Sequence, residues 1–474
     1  MQDITRWRNK EMKKVRLGKR LLLGLLAACV GFSTVPAQAE IYGVDYSGFH
    51  AGVGLSAAMG TFHTNNSNFG AGGVVNGDKD NSWFEVYIMP SLNMSYDTGK
   101  FGTFYGEFSY VGTQTFGGVD PIGFSTTFGG SENPGDWESE LFYAGWKSGN
   151  LIPGLPENVI DISFGEQVFS IGDGFLIADA EFDGAKGCYW IAPHKSFRET
   201  GILKINTEPV RADFFYLKSD KDYADTELYG VNVEYIKEGF GTLGASWMTV
   251  TNANEFYEDG VTENSYANRD GMDIWSVRFQ GNPLTAWGLE ELFLSGEYAD
   301  ESGGDRADVD AYGYYVEAGW TFSNLPWTPT LSYRYAFFSG DETDTDDYEA
   351  FDPMFYGFLR GWGTHFMGEV VGEYHLFNSN QHIQMVHLNL VPTDKLSVGA
   401  IYYNFKLDQN NIFGTPVTSD EYADEINLYA DYALNDNVWI SGVFGCAFPG
   451  EAAEQYRGDD QAMMIVEAYV SFYF

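Results

Sequence analysis

Fifteen charged side chains fall at alternate positions of segments that switch regularly between polar and apolar residues. The carboxylates are Glu85, Glu107, Glu140, Asp161, Asp213, Glu234, Glu297, Glu317, Glu425, Asp431 and Glu467, and the bases are Lys204, Arg211, Arg278 and Arg334. Residues two apart on an extended strand share a face, so each of these groups belongs to the wet side of a strand whose other side is greasy. The chemistry this allows is electrostatic. Charges on facing walls set the field across a water-filled passage, and eleven carboxylates against four bases attract cations. Individual members can pair across strands, Arg211 with Asp213 being the nearest candidates, so the excess carries the reading rather than any one residue. Tyr87, Tyr105 and Tyr315 fall on the same faces, where they offer a sugar or aromatic solute a sliding surface or simply fill the wall.

Covalent chemistry has no such support. A nucleophilic enzyme needs a serine or threonine beside a histidine, and the histidines His50, His63, His194, His365, His375, His382 and His387 lie mostly in loops or at strand ends, none spaced to meet a particular serine. His387, on a polar face, reads as a hydrogen-bonded wall residue. Cysteine is sparse (Cys29, Cys188, Cys446), with no zinc-ligand or redox spacing. No catalytic residue and no cofactor is assigned. One acidic loop, Asp341 to Glu349, spaces Asp344, Asp346 and Asp347 so that they could share a calcium ion, whose flexible oxygen shell suits loops. Solvation of the loop is the competing reading, because no EF-hand frames them.

The elements that position these charges are strands. From Met464 to Phe474, Met464, Val466, Ala468, Val470, Phe472 and Phe474 share one face while Glu467, Tyr469, Ser471 and Tyr473 share the other. Similar runs occur near 47–62, 83–97, 101–115, 137–148, 159–170, 200–207, 209–218, 227–237, 241–251, 271–280, 290–299, 309–322, 328–339, 382–391, 396–407, 424–434, 438–448 and 463–474. The gaps between them alternate long and short. This rhythm predicts an all-β fold: a transmembrane antiparallel up-and-down β-barrel of about 18 strands, with short periplasmic turns and long extracellular loops. A soluble sandwich would leave Phe84, Val86, Ile88, Leu92, Met94 and Tyr96 as a large exposed apolar surface. The stretch from Gly340 to Gln381 is the ambiguous part. It reads as an internal constriction loop, a helix-like insertion over 362–377, or two further strands, so the count spans 16 to 20. The connection at 171–199, with Gly172, Gly174, Gly184 and Gly187, is a second candidate to fold inward.

The opening residues read as an export signal. Lys13, Lys14, Arg16, Lys19 and Arg20 precede an apolar run from Leu21 to Phe32 and then Val35 to Ala39, which places cleavage between Ala39 and Glu40. The expected organisation is a cleaved signal peptide at 1–39 and an outer-membrane barrel at 40–474. Leu26 to Cys29 also fits a lipidation signal, leaving open whether Cys29 is lipidated or removed. Removing the eight Lys/Arg and two Asp/Glu of residues 1–39 from a total of 27 and 67 leaves a formal charge of −46. Such a chain repels polyanions, which excludes nucleic acid as a partner. The expected partners are outer-membrane lipid and lipopolysaccharide, the barrel-assembly machinery acting on the C-terminal strand, and a small-molecule solute.

Four segments resemble the alginate-export family of outer-membrane barrels: Leu331 to Asp341 followed by Phe351 to Gly357; Phe164 to Gly174; Val391 to Tyr403; and Asp424 to Tyr432 leading to Phe448-Pro449-Gly450. They keep chain order from the middle to the C-terminus, over roughly two thirds of the processed chain. The resemblance implies an eighteen-stranded monomeric barrel and a transport role, with Arg334 as a pore-wall base and Asp341 capping a turn at the outer rim. The family usually shows Gly-Arg-Gln where this chain has Gly165-Glu166-Gln167, and its polysaccharide-exporting member conducts a polyanion through a basic pore. The acid excess has the wrong sign for that traffic. The expected function is therefore an outer-membrane channel, not an enzyme, for passive diffusion or export of small hydrophilic, cationic solutes. The alternatives are a polysaccharide or oligosaccharide export channel and a non-conducting outer-membrane scaffold.

Overall fold

The computed structural model describes residues 40–474 except 128, 181–183, 221–224, 254–268, 343–344, 358 and 360–367. The expected signal at 1–39 lies outside the described residues. Eighteen antiparallel strands follow one another around a closed sheet: β1 Phe49–Asn65, β2 Asn81–Asp97, β3 Thr103–Phe116, β4 Gly135–Lys147, β5 Ile160–Gln167, β6 Phe197–Asn206, β7 Val210–Lys218, β8 Glu227–Lys237 and β9 Gly241–Asn252. The second half continues with β10 Met272–Gly281, β11 Leu292–Gly303, β12 Val309–Thr321, β13 Thr330–Phe338, β14 Gln381–Thr393, β15 Leu396–Leu407, β16 Glu421–Asn435, β17 Val438–Pro449 and β18 Met463–Tyr473. Each pairs with its neighbours in sequence, and β18 returns to β1, with Ser56 opposite Tyr473 and Asn65 opposite Met464. That pairing leaves the barrel with no open edge, which a bilayer requires because hydrocarbon offers no partner for backbone N–H and C=O groups. Among the described residues no helix is long and apolar enough to cross a membrane.

Alternation decides which side chains meet lipid. Along β2, Phe84, Ile88, Met94 and Tyr96 are exposed whereas Trp83, Glu85, Tyr87, Met89 and Ser91 are buried. Along β17, Ile440, Phe444 and Phe448 point outward and Ser441, Val443 and Ala447 inward. An inverted arrangement, aromatic outside and polar inside, is what a hydrocarbon solvent selects.

The chain departs from the sequence expectation at one place and resolves its ambiguous stretch at another. Glu40–Tyr46 forms a short strand beside β1, turned by Ser47 (φ 50) and Gly48 (φ 83), the positive-φ pair that a two-residue hairpin needs. With seven residues, all exposed, it has no buried face to advertise it. Among its described residues the stretch 339–380 adds no strands to the wall, in line with an internal loop and a count of eighteen. Its Phe351–Tyr356 segment is buried among Phe175, Phe338 and Tyr315.

That stretch and the β5–β6 connection are both inserts inside the barrel, lying against each other. The Ala178 N–H donates to the Phe355 carbonyl (2.7 Å), Phe355 N–H to Leu176 (2.9 Å) and Gly357 N–H to Gly174 (2.9 Å). Phe175 stacks within 5.5 to 5.9 Å of Tyr315, Phe338 and Phe351. The hydrophobic core of this protein thus sits in the lumen, between two inserts and the wall. The first insert leaves the wall at a bulge where β5 shifts register against β6. There Gly165 adopts φ +119, and a Cβ would come within 2.3 Å of the Phe142 carbonyl oxygen, so only glycine fits.

Candidate functional site

The buried face of the wall is where charge collects. Three of the four predicted bases are paired along it. Arg211 donates to both oxygens of Asp213 (3.1 and 2.8 Å), which also accepts from Asn232 (3.0 Å). Arg278 donates to Glu234 (2.7 Å), and Arg334 reaches Glu317 through Nε and Nη2 (3.1 and 3.0 Å). Arg334 and Glu317 face each other on adjacent strands and Arg211 and Asp213 lie two apart on one strand, whereas Arg278 reaches Glu234 across the intervening β9, where Gly244 is opposite both. Gly244 leaves room for the Arg278 guanidinium, whose Cζ would lie 2.5 Å from a Cβ there.

Three other predicted acids fasten the inserts to the wall. Glu85 accepts the backbone N–H groups of Tyr189 (3.1 Å) and Trp190 (3.0 Å). Glu140 accepts that of Lys195 (2.9 Å). Glu425 accepts those of Val370 (2.9 Å) and Val371 (2.8 Å) together with the Asn427 amide (2.7 Å). A buried loop carries N–H groups with no ladder to join, and a carboxylate can satisfy two at once. Glu297 accepts from Ser276 (2.7 Å), Asp431 from Ser441 (2.6 Å), Glu107 from the Tyr143 hydroxyl (3.2 Å) and Asp161 from the Tyr105 hydroxyl (2.6 Å). Glu467 is buried. Tyr315 donates to Asp173 (2.6 Å), so this tyrosine and Tyr105 are tied down.

Several charged residues of the lumen escape a strand-by-strand reading. Asp173, at the tip of the first insert, accepts from Tyr315, from Ser295 (2.9 Å) and from Gln280. Arg269 is fully buried and forked onto Asp352 (2.8 and 2.5 Å), whose own N–H donates to Glu301 (2.8 Å). Arg198 gathers Glu138 (2.6 Å), Glu166 (2.6 Å) and Asp220 (3.2 Å). Most of these lie in loops or at bulges, where a period of two stops being informative. The available signals were Gly172-Asp173-Gly174 and the Phe351-Asp352-Pro353 element.

Lys204 differs from the other bases. It is half-buried, and among the described residues nothing bonds its ammonium. Its cross-strand neighbours Asp161 and Asp213 are held by Tyr105 and Arg211. It lines a cavity of about 330 Å³ with Arg211, Glu234, Thr242 and Gln280, roofed by Val168 to Gly172 of the first insert. Every wall residue lies near the end of its strand on the side of the short turns.

Of the calcium candidates, Asp344 lies outside the described residues, and Asp346 and Asp347 are exposed. Neighbouring acids tie the loop to itself: Asp341 accepts the Glu349 N–H (3.0 Å) and Glu349 the Glu342 N–H (3.1 Å). Among the described residues no group of three or more His, Cys, Asp or Glu is placed to hold a metal ion. Cys188 is buried in the first insert, Cys446 faces outward on β17, and both are free thiols. Burial pushes the Cys188 thiol well above its ordinary range. At the extracellular rim, burial and then the Arg457 charge hold His375 well below the usual imidazole value. It contacts the Tyr422 hydroxyl (3.1 Å) and stacks 4.3 Å from Phe69.

A closed eighteen-stranded barrel with a lipid-compatible exterior, short turns at one end and long loops at the other is an outer-membrane β-barrel protein of bacteria. The profile described as "Alginate export" matches residues 198–462, more than half of the chain, and the chain belongs to that family. No curated protein matches it. Solved structures share the fold. OccAB2 of Acinetobacter baumannii has a TM-score of 0.55 at 11% identity, over 89% of this chain and 97% of that one. OccK5 (OpdH) of Pseudomonas aeruginosa gives 0.52 at 10% over 89% and 97%. The outer membrane protein OprD from Pseudomonas aeruginosa gives 0.50 at 12% over 89% and 92%.

Proposed function

We propose that this protein is an outer-membrane channel through which small hydrophilic, cationic solutes diffuse along an acidic lumen, with no chemical step. The observation that carries the reading is the unbalanced charge of the wall. Arg211, Arg278 and Arg334 are matched by Asp213, Glu234 and Glu317. Over the wall positions as a whole, eleven carboxylates face four bases, and an excess of carboxylates draws cations. The inserts narrow the bore. Residues 1–39 direct export and are removed after Ala39, the C-terminal strand is read by the barrel-assembly machinery, and the barrel works as a monomer among lipid and lipopolysaccharide.

Family membership favours a second reading, export of a polysaccharide. The acid excess weighs against a polyanion such as alginate, and so does Glu166 at the position where the family pattern has arginine. Swelling of liposomes loaded with the purified protein separates the two, using glucosamine, glucose and glucuronate as size-matched cation, neutral and anion. Entry in the order glucosamine, glucose, glucuronate supports the cationic channel. The reverse order refutes it.

A further inference from the structure

We propose that the cavity beneath the first insert is a binding subsite for zwitterionic α-amino acids. This goes beyond the cationic-channel reading by adding a second, zwitterionic solute class, and its role in transport rests on the channel reading. At about 30 Å³ per water, 330 Å³ accommodates roughly ten waters, or an amino acid with a few waters. The wall it offers is hydrophilic: Ser170, Lys204, Arg211, Glu234, Thr242 and Gln280.

Unspent bonding capacity fixes the ligand's charges. The Lys204 ammonium has no partner among the described residues. Arg211 spends Nε and Nη2 on Asp213, leaving Nη1, which stands 3.8 Å from Glu234, beyond hydrogen-bond reach. Glu234 gives one oxygen to Arg278 (2.7 Å), while the other faces that 3.8 Å gap. The Gln280 amide nitrogen is taken by Asp173, so its oxygen remains to accept. A ligand carboxylate therefore has two donors, Lys204 Nζ and Arg211 Nη1. A ligand ammonium has acceptors in Glu234 Oε2 and Gln280 Oε1. A simple anion would satisfy the first set and leave the carboxylate oxygen unmatched, and a simple cation would do the opposite. Only a molecule carrying both charges close together completes the site, and leaving a charged group half-satisfied is the costlier outcome.

Isothermal titration of the detergent-solubilised full chain tests this with L-serine, L-glycerate and L-serinamide. The second replaces the ammonium by a hydroxyl and the third replaces the carboxylate by an amide, at the same size. L-serine should bind about ten-fold or more tighter than either analogue, the usual weight of one charge-assisted hydrogen bond. Lys204→Met, which orphans no partner, should weaken L-serine by a similar factor, and Glu234→Gln should weaken L-serine while leaving L-glycerate unchanged. Asp394→Asn, exposed on the turn between β14 and β15 and outside the cavity, should keep wild-type affinity and serves as the folded control. L-glycerate binding as tightly as L-serine, absence of heat with L-serine, or a Lys204→Met protein of wild-type affinity overturns the proposal. Planar-bilayer current on the same preparation keeps the two claims apart. Heat without current removes the channel and retains the subsite, and current without heat does the reverse.

Discussion

Glu425 offers a direct measure of how firmly the second insert is held. Its carboxylate is fully buried and accepts two backbone N–H groups, Val370 at 2.9 Å and Val371 at 2.8 Å. Glu425→Ala removes both acceptors. Each orphaned buried donor costs about 1–3 kcal/mol, so the local loss is roughly 2–6 kcal/mol. Glu425→Gln keeps one acceptor oxygen and should lose about half as much. With a factor of ten for every 1.4 kcal/mol, a mid-range loss of about 4 kcal/mol raises the population of the released insert by about a thousand-fold. Hydrogen exchange followed by mass spectrometry reads this as faster exchange of the 368–376 amides, in the order Ala, Gln, wild type. Glu85→Ala should act instead on 188–191, where Tyr189 and Trp190 donate to Glu85. Exchange at 368–376 that is unchanged in Glu425→Ala, or equally fast at both inserts in both variants, refutes the assignment of these carboxylates as local anchors.

Two further predictions concern the rim and the outer surface. His375 has its folded-state pKa lowered by burial and by the Arg457 charge, with Tyr422 as the other titratable group in contact. The folded state therefore disfavours the proton, so the stabilisation is complete above the ordinary histidine value of about 6.5 and is lost as pH falls below it. Thermal unfolding should show a lower midpoint at pH 5 than at pH 7.5, and His375→Phe should shrink that difference; an equal difference in the variant removes His375 as its source. Cys446 lies on the outward face with Phe444 and Phe448, whereas Cys188 is buried. In proteoliposomes an apolar maleimide should label Cys446 and a sulfonated one should not. Labelling of Cys446 by the sulfonated reagent contradicts a lipid-facing position.

The wall was legible because its physics is periodic. Each of the eighteen strands was found within a few residues, since hydrocarbon on one side and polar groups on the other impose a period of two that side chains such as Phe84, Glu85, Ile88 and Met89 record directly. The inserts carry no such period. Phe175, Phe351 and Phe355 are buried as deeply as any wall residue, yet their spacing follows the shape of the lumen rather than an element. Carboxylate roles were hidden for a related reason. Alternation assigns Glu85 and Glu425 to a face but says nothing of the loop amides that reach them, and Arg269 finds Asp352 across 83 positions of sequence. The hairpin strand Glu40–Tyr46 escaped because neither of its faces is covered.

The sign of the field in the bore is the point on which a cationic channel stands or falls. The reversal potential of the reconstituted protein in planar bilayers, under a ten-to-one potassium chloride gradient, reads that sign. An acidic lumen places it on the cation side, and Glu107→Lys with Asp161→Lys, which alter two half-buried carboxylates held only by tyrosine hydroxyls in the described contacts, should move it toward zero. A wild-type potential on the anion side would contradict the proposed function outright.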